Sequence, residues 1–110
     1  MGRSAERAAT NEARFRQANE QIHEKVLGLG TSDRSAPYLC ECEDERCTTV
    51  ILLTAPEYED VRSGPRRFVV APGHEEANER VVDRDAGFTV IEKTGVEGRL
   101  VEGLDPRRES

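Results

Sequence analysis

The sequence predicts a single α+β domain, in which an N-terminal amphipathic helix packs on a small, mostly antiparallel sheet. Three observations predict this class. Apolar residues recur at helical spacing near the N-terminus, short β-branched runs separated by turn residues follow, and a helix-capping pattern lies between two of those runs. We expect residues 1–9 to be a flexible N-terminus, residues 10–102 to form the domain, and residues 103–110 to be a flexible tail.

The first predicted element is a helix with an apolar stripe made of Phe15, Ala18, Ile22, Val26 and Leu29. These residues step by three or four positions, so they lie on one side of a helix. Charged residues such as Arg16 occupy the other faces, and His23 is expected at the surface. Gly28 and Gly30 are expected to end the helix.

Two short runs then predict a hairpin. YLCEC (38–42) and TTVILL (48–53) are typical of strands, and the polar turn EDER joins them. The next residues, TAPE (54–57), form a capping box with Thr54 as N-cap and Glu57 three positions later. A short helix should therefore run from about Ala55 to Arg62, inserted between strands.

RFVVA (67–71) predicts a third strand, and the following Pro72-Gly73 suits a type II turn with Gly73 at positive φ. ERVVDRDAGFTVIEK (79–93) predicts two more strands, with Gly87 as the left-handed residue of their turn. HEEANERVVDR (74–84) also fits a short helix. Beyond Thr94 the chain is rich in glycine and charge, and we predict no further element.

Composition limits the function. The net charge is −6, which opposes nucleic-acid binding because that requires a cationic surface. The chain has no apolar run long enough for a membrane span, and its charged N-terminus lacks the apolar centre of a signal peptide. We therefore expect a cytoplasmic protein with reduced thiols. Aromatic residues make up 5% of the chain and Trp is absent, so the core is thin and a metal or a partner would help to stabilise it.

The most informative stretch is LCECEDERCTTV (39–50), which holds all three cysteines of the chain, Cys40, Cys42 and Cys47. Side chains alternate along a strand, so Cys40 and Cys42 share a face, and the intervening turn can return Cys47 to the same point. Three converging thiols predict a zinc-knuckle-like hairpin. An odd number of cysteines argues against a closed disulfide framework.

Structural zinc takes four ligands, commonly Cys₄ or Cys₃His, so a fourth ligand is needed. We favour His74, because the Pro-Gly turn before it would hold the imidazole in place. His23 and Asp44 are the alternatives. The acidic residues around the cysteines should raise the thiol pKa values, which argues against a naturally reactive nucleophile.

The motifs quoted above, together with NEARFRQANEQI (11–22), LTAPEYEDVR (53–62) and RRFVVAPGHE (66–75), resemble a group of small uncharacterised proteins of actinobacteria and related high-GC bacteria. The resemblance covers about 11–106, and its most specific pieces are the C-x-C-x₄-C run and the P-G-H triplet. It supplies no catalytic assignment, and it implies a self-contained bacterial protein.

CDGSH iron–sulfur proteins also use three Cys and one His, beginning with C-x-C. In that family the third Cys and the His lie close together in C-D-G-x-H, whereas here TTV follows Cys47 and His74 comes much later. A [2Fe–2S] cluster is therefore not expected. The sequence favours a zinc-binding protein with a non-enzymatic regulatory or interaction role and an unidentified protein partner. The alternative is a metal-dependent or thiol-redox enzyme with an open Cys₃ metal site, in which Glu43 or His74 acts as a base.

Overall fold

Helix α1 (Ala5–Gly28) is the longest element of the computed structural model, which describes residues 4–31, 33–77 and 79–107. Its N-cap is Ser4, whose side chain accepts the Arg7 N–H at 3.2 Å. The helix ends at Gly28, and Gly30 follows with φ 70°, as the two glycines predict. The predicted flexible N-terminus therefore overlaps the first turns of α1, and residues 1–3 lie outside the described part of the chain.

The face that α1 buries is not the predicted apolar stripe. Phe15, Ala18 and Ile22 are half-buried, and Leu29 is 75% exposed. The buried residues of α1 are largely polar. One row of them steps by three or four positions, at Ala8, Glu12, Arg16, Asn19, His23 and Val26, and Ala9 and Asn11 are also buried. The prediction that Arg16 and His23 lie on outer faces was wrong, because groups outside α1 bond to both ring nitrogens of His23 and to two guanidinium nitrogens of Arg16.

The predicted hairpin is present as β1 (Ala36–Leu39) and β2 (Val50–Leu53), which pair antiparallel with Leu39 opposite Val50. It is followed by α2 (Ala55–Val61), whose capping box is confirmed. The Thr54 hydroxyl accepts the Glu57 N–H, and the Glu57 carboxylate accepts the Thr54 N–H at 2.8 Å. Because this box satisfies otherwise unpaired amides, it fixes where α2 begins.

The second sheet has three antiparallel strands, β3 (Arg67–Val70), β4 (Arg80–Arg84) and β5 (Thr89–Glu92), in the order β3-β5-β4. The strand reading of 79–93 was therefore right, and the alternative helix over 74–84 was not. Gly73 has φ 88°, as the predicted turn requires, but Gly87 does not adopt a positive φ. The prediction of a left-handed Gly87 was wrong.

A third helix, α3 (Gly95–Gly103), occupies a stretch for which no element was predicted. It packs beside α1 and includes the first residue of the predicted tail. Asp105, further along that tail, is buried and paired with Arg62. The flexibility expected of 103–110 stays a prediction, and 108–110 lie outside the described residues.

The core lies between α1, α2 and the two sheets. Phe68 and Ile91 face each other across β3 and β5, and both are fully buried. Burial of each side chain contributes about 1.5–3 kcal/mol of hydrophobic stabilisation. The Arg16 guanidinium lies 3.7 Å from the centre of the Phe68 ring, so the polar face of α1 also contacts this apolar layer. The remaining large buried apolar side chains are Val26, Tyr38, Ile51, Leu53, Tyr58, Val61, Val69, Val70, Phe88, Val90 and Val101.

Candidate metal centre

The segment that carries the cysteines leaves the hairpin earlier than predicted. β1 ends at Leu39, although the Cys40 N–H still donates to Thr49 O at 3.1 Å. The next residue, Glu41, turns to the second sheet and donates its N–H to Val69 O at 2.8 Å. Cys40 and Cys42 therefore lie on a bridge between the two sheets rather than inside a strand, which corrects the predicted extent of the first strand.

The alternation of side chains along this bridge separates the cysteines from Glu41. The Glu41 carboxylate is fully buried and accepts the Val69 N–H at 3.0 Å and the Asn19 side-chain amide at 2.8 Å. Burial raises its pKa, and Arg16 acts in the opposite direction. Glu41 thus attaches the cysteine segment to both α1 and β3.

His74 comes to the cysteines through the turn after β3. The His74 N–H donates to Ala71 O at 3.0 Å, which closes a turn around Pro72 and Gly73. Ala71 also donates its own N–H to the Cys40 sulfur at 3.2 Å. This turn therefore positions the imidazole and holds one of the sulfurs.

The structure brings Cys40, Cys42, Cys47 and His74 together. Their ligand atoms, the three sulfurs and one ring nitrogen, all lie within 4.8 Å of one another. His74 Nδ1 is 3.5 Å from the Cys40 sulfur and 3.6 Å from the Cys47 sulfur. The four side chains are close enough to hold a metal ion, and their assignment as ligands stays a prediction.

These distances fit zinc. Bonds of about 2.3 Å to sulfur and 2.0–2.1 Å to nitrogen, at tetrahedral angles, place ligand sulfur and nitrogen about 3.6 Å apart. His74 Nδ1 meets this spacing with two sulfurs at once.

The acidic residues around the cysteines had suggested raised pKa values for the thiols, but the pKa of Cys42 is lowered. The hydrogen bond from Cys40 lowers the pKa of Cys42 to about 5, and the bonds from His74 and from the Asp44 backbone act in the same direction. The same Cys40–Cys42 bond, together with burial, raises the pKa of Cys40. The lowered pKa of Cys42 favours its thiolate, which is the form that binds a divalent cation.

The two alternative fourth ligands have other partners. His23 is 3% exposed, with Nδ1 2.8 Å from the Tyr38 hydroxyl and Nε2 2.6 Å from Glu59 Oε2. Asp44 accepts the Arg46 N–H at 3.0 Å within its own turn. Neither belongs to the cysteine set.

A second group of charged side chains adjoins the centre. Lys93 is 2% exposed, and its ammonium nitrogen lies 2.6 Å from Glu12, 2.8 Å from Glu97 and 3.6 Å from Glu43, with a further contact to Glu79. Burial raises the pKa of Glu12 to about 8, although Lys93 lowers it. The carboxylates of Glu12, Glu43 and Glu79 are near enough to one another to hold a metal ion. The Lys93 ammonium, however, already pairs with each of them.

A third group was also missed from the sequence. Arg62 pairs with Asp105 and with Glu20, and the Arg16 guanidinium lies 3.8 Å from Asp105 and donates to Pro65 O at 2.8 Å. These residues are far apart in the chain, and each is of a charged type that is usually found at the protein surface. The step from Glu12 to Arg16, Asn19 and His23 was the one signal that could have shown a polar buried face.

The fold and the site define a small α+β protein with a Cys₃His cluster that could bind a metal ion. No protein-family model matches the chain, and neither curated proteins nor solved structures give a match. No helix within the described ranges is both long and apolar enough to cross a membrane.

Proposed function

We propose that this chain is a zinc-binding protein in which Cys40, Cys42, Cys47 and His74 form a closed structural site. The observation that carries the proposal is the position of His74 Nδ1, 3.5 and 3.6 Å from two sulfurs, as a tetrahedral ZnS₃N centre requires. Zinc at this position joins the 40–49 segment to the turn after β3. Three thiol ligands also need a reducing compartment, so a cytoplasmic location belongs to the proposal.

The enzyme alternative has less support. A catalytic zinc site keeps one position for water, with a base near it. Glu43, one candidate base, lies 3.6 Å from the Lys93 ammonium. His74, the other, is next to two sulfurs. Both arrangements favour a closed site.

We further propose that the metal maintains a surface for a protein partner. β2 alternates between buried Ile51 and Leu53 and exposed Val50 and Leu52, which are 53% and 65% exposed. The hairpin therefore presents apolar side chains on its outer face, and exposed apolar surface is a common mark of interaction sites. Because Cys40 directly follows β1, zinc would stabilise this hairpin.

X-ray absorption at the zinc edge tests the donor set. The expected result is three sulfur neighbours at about 2.3 Å and one nitrogen at about 2.0–2.1 Å. His74→Ala should remove the nitrogen neighbour, whereas the matched Asp44→Asn control should leave the spectrum unchanged. A spectrum with light-atom ligands only, or one that His74→Ala does not alter, would reject the closed Cys₃His site.

The partner surface is tested in cells of a bacterium that carries the protein, with a photo-crosslinking residue placed at Leu52 and, as control, at Glu24 on the exposed side of α1. A discrete adduct is expected from position 52 alone, and it should be lost when Cys42→Ser is added. Equal adducts from both positions would contradict the proposed surface.

A further inference from the structure

The three sulfurs differ in access from solvent. Cys40 and Cys42 are 2% and 4% exposed, whereas Cys47 is half-buried. The Cys47 N–H donates to Asp44 O at 3.0 Å, within its own turn. An oxidant that reaches the cluster from solvent therefore meets Cys47 first.

Cys40 is held more firmly than the other two. Its N–H is bonded to Thr49 O, and its sulfur accepts the Ala71 N–H at 3.2 Å. Four residues separate Cys42 from Cys47, and the turn that they form allows these two sulfurs to approach each other. All sulfurs lie within 4.8 Å of one another, and a disulfide would require an approach to about 2.05 Å.

We infer that this centre is a peroxide-sensitive switch, in which oxidation joins Cys42 to Cys47 and releases the metal. The inference rests on the proposed zinc site. The oxidant is hydrogen peroxide. In the reduced protein all four side chains hold the metal, and in the oxidised protein the segment from Cys42 to Thr49 is free.

The chemistry balances in two steps. The Cys47 thiolate attacks a peroxide oxygen, so that an S–O bond forms, the O–O bond breaks, and the leaving hydroxide takes a proton to become water. The Cys42 thiolate then attacks the Cys47 sulfur, forming the S–S bond and expelling a second hydroxide, which is also protonated. The two thiolates lose two electrons and peroxide is reduced to two waters, while zinc keeps its charge and loses two of four ligands.

Loss of the metal would have a defined structural consequence. The segment from Cys42 to Cys47 would lose its connection to the turn that carries His74. The Glu41 side chain would remain bonded to Asn19 and Val69, so the change should begin beyond Glu41 and spread to the start of β2 at Val50. The exposed face of β2 lies directly after this segment, which links oxidation to the proposed partner surface.

The test begins with reduced, zinc-loaded protein whose metal content is confirmed by native mass spectrometry. Peroxide is added, and released zinc is followed with a chromogenic chelator. The expected result is zinc release together with a loss of two hydrogen masses, and both changes should be reversed by dithiothreitol and added zinc. Hydrogen exchange should increase in 42–50 and change little in β3 and β5.

The disulfide can be assigned by digestion. Trypsin cuts after Arg46, which separates Cys47 from the other two cysteines, and cleavage after Glu41 separates Cys40 from Cys42. A peptide pair joined through Cys42 and Cys47 is expected. A pair joined through Cys40, or a Cys40–Cys42 bond, would overturn the assignment.

The matched control is Asp44→Asn, which alters the acidic turn but none of the four proposed ligands. It should bind zinc and release it to peroxide at the rate of the parent. Zinc that stays bound in the parent while the thiols remain reduced would refute the switch and leave the zinc site standing. Reduced protein without zinc at the start would instead refute the proposed function.

Discussion

Replacement of Lys93 by methionine tests the buried charge cluster beside the Cys₃His cluster. The Lys93 ammonium is 2% exposed and lies 2.6 Å from Glu12 and 2.8 Å from Glu97. Removing one partner of a buried ion pair costs about 3–5 kcal/mol, because the remaining charge stays buried without compensation. Domains of this kind have about 5–15 kcal/mol of unfolding free energy, so Lys93→Met should remove a large share of it.

Urea unfolding, followed by circular dichroism in zinc-containing buffer at pH 8, measures this loss. The matched control is Arg80→Met. Arg80 is exposed and pairs with Glu92 at 3.0 Å, and surface pairs of this kind contribute about 0–1 kcal/mol. The double variant Lys93→Met with Glu12→Gln should recover about 1–3 kcal/mol relative to Lys93→Met alone, since it removes one uncompensated carboxylate. A Lys93→Met loss equal to that of the control would refute this reasoning.

Three further outcomes follow from the structure. The pKa of Glu12 is raised from 4.5 to about 8, so between these pH values the folded state binds more protons than the unfolded state, and the stability of the parent falls as pH rises. In urea titrations, Glu12→Gln should therefore gain stability relative to the parent as pH rises. A stability difference that stays constant with pH would contradict the raised pKa. Glu41→Gln should lower the free energy of unfolding by about 1–3 kcal/mol in the same assay, because one amide oxygen cannot replace both carboxylate oxygens that accept from Val69 and Asn19. Unchanged stability would show that Glu41 does not anchor the cysteine segment. Thr54→Ala should cost about 1 kcal/mol through loss of the cap of α2, and a variant as stable as the parent would show that the capping box contributes nothing.

The clustering of Cys40, Cys42, Cys47 and His74 could be predicted from two short sequence patterns and from the chemistry of metal ligands. Cys40, Cys42 and Cys47 lie close together in sequence, and few residue types can complete such a set. The Pro-Gly turn before His74 has a specific backbone requirement, which the φ of 88° at Gly73 meets. Strands and the capped helix followed from similar short-range rules.

The buried face of α1 could not be predicted from apolar spacing. The stripe through Phe15 and Ile22 has the expected period. The helix face that is buried, however, carries the residues that directly follow them in sequence, Arg16 and His23. Burial of these side chains depends on partners such as Pro65 and Glu59, which come from distant parts of the chain. A pattern of hydrophobicity carries no information about such pairs.

Helix α3 was missed for a related reason. Gly95, Gly98 and Gly103 lower helix propensity, and the N-cap Thr94 makes no capping bond with its side chain. A Cβ at Gly98 would lie 2.8 Å from Lys93 O, in the segment that leads into α3, and 3.0 Å from the Arg66 side chain. These close approaches therefore select a residue that the local sequence rules count against a helix.

Native mass spectrometry of untagged protein, purified without added metal, tests the central claim most directly. We expect one zinc ion per chain in the parent and in Asp44→Asn, and loss of that ion in both Cys42→Ser and His74→Ala. A parent that carries no metal and three reduced thiols would contradict the account. Zinc that persists in His74→Ala would contradict the closed site and favour an open Cys₃ centre.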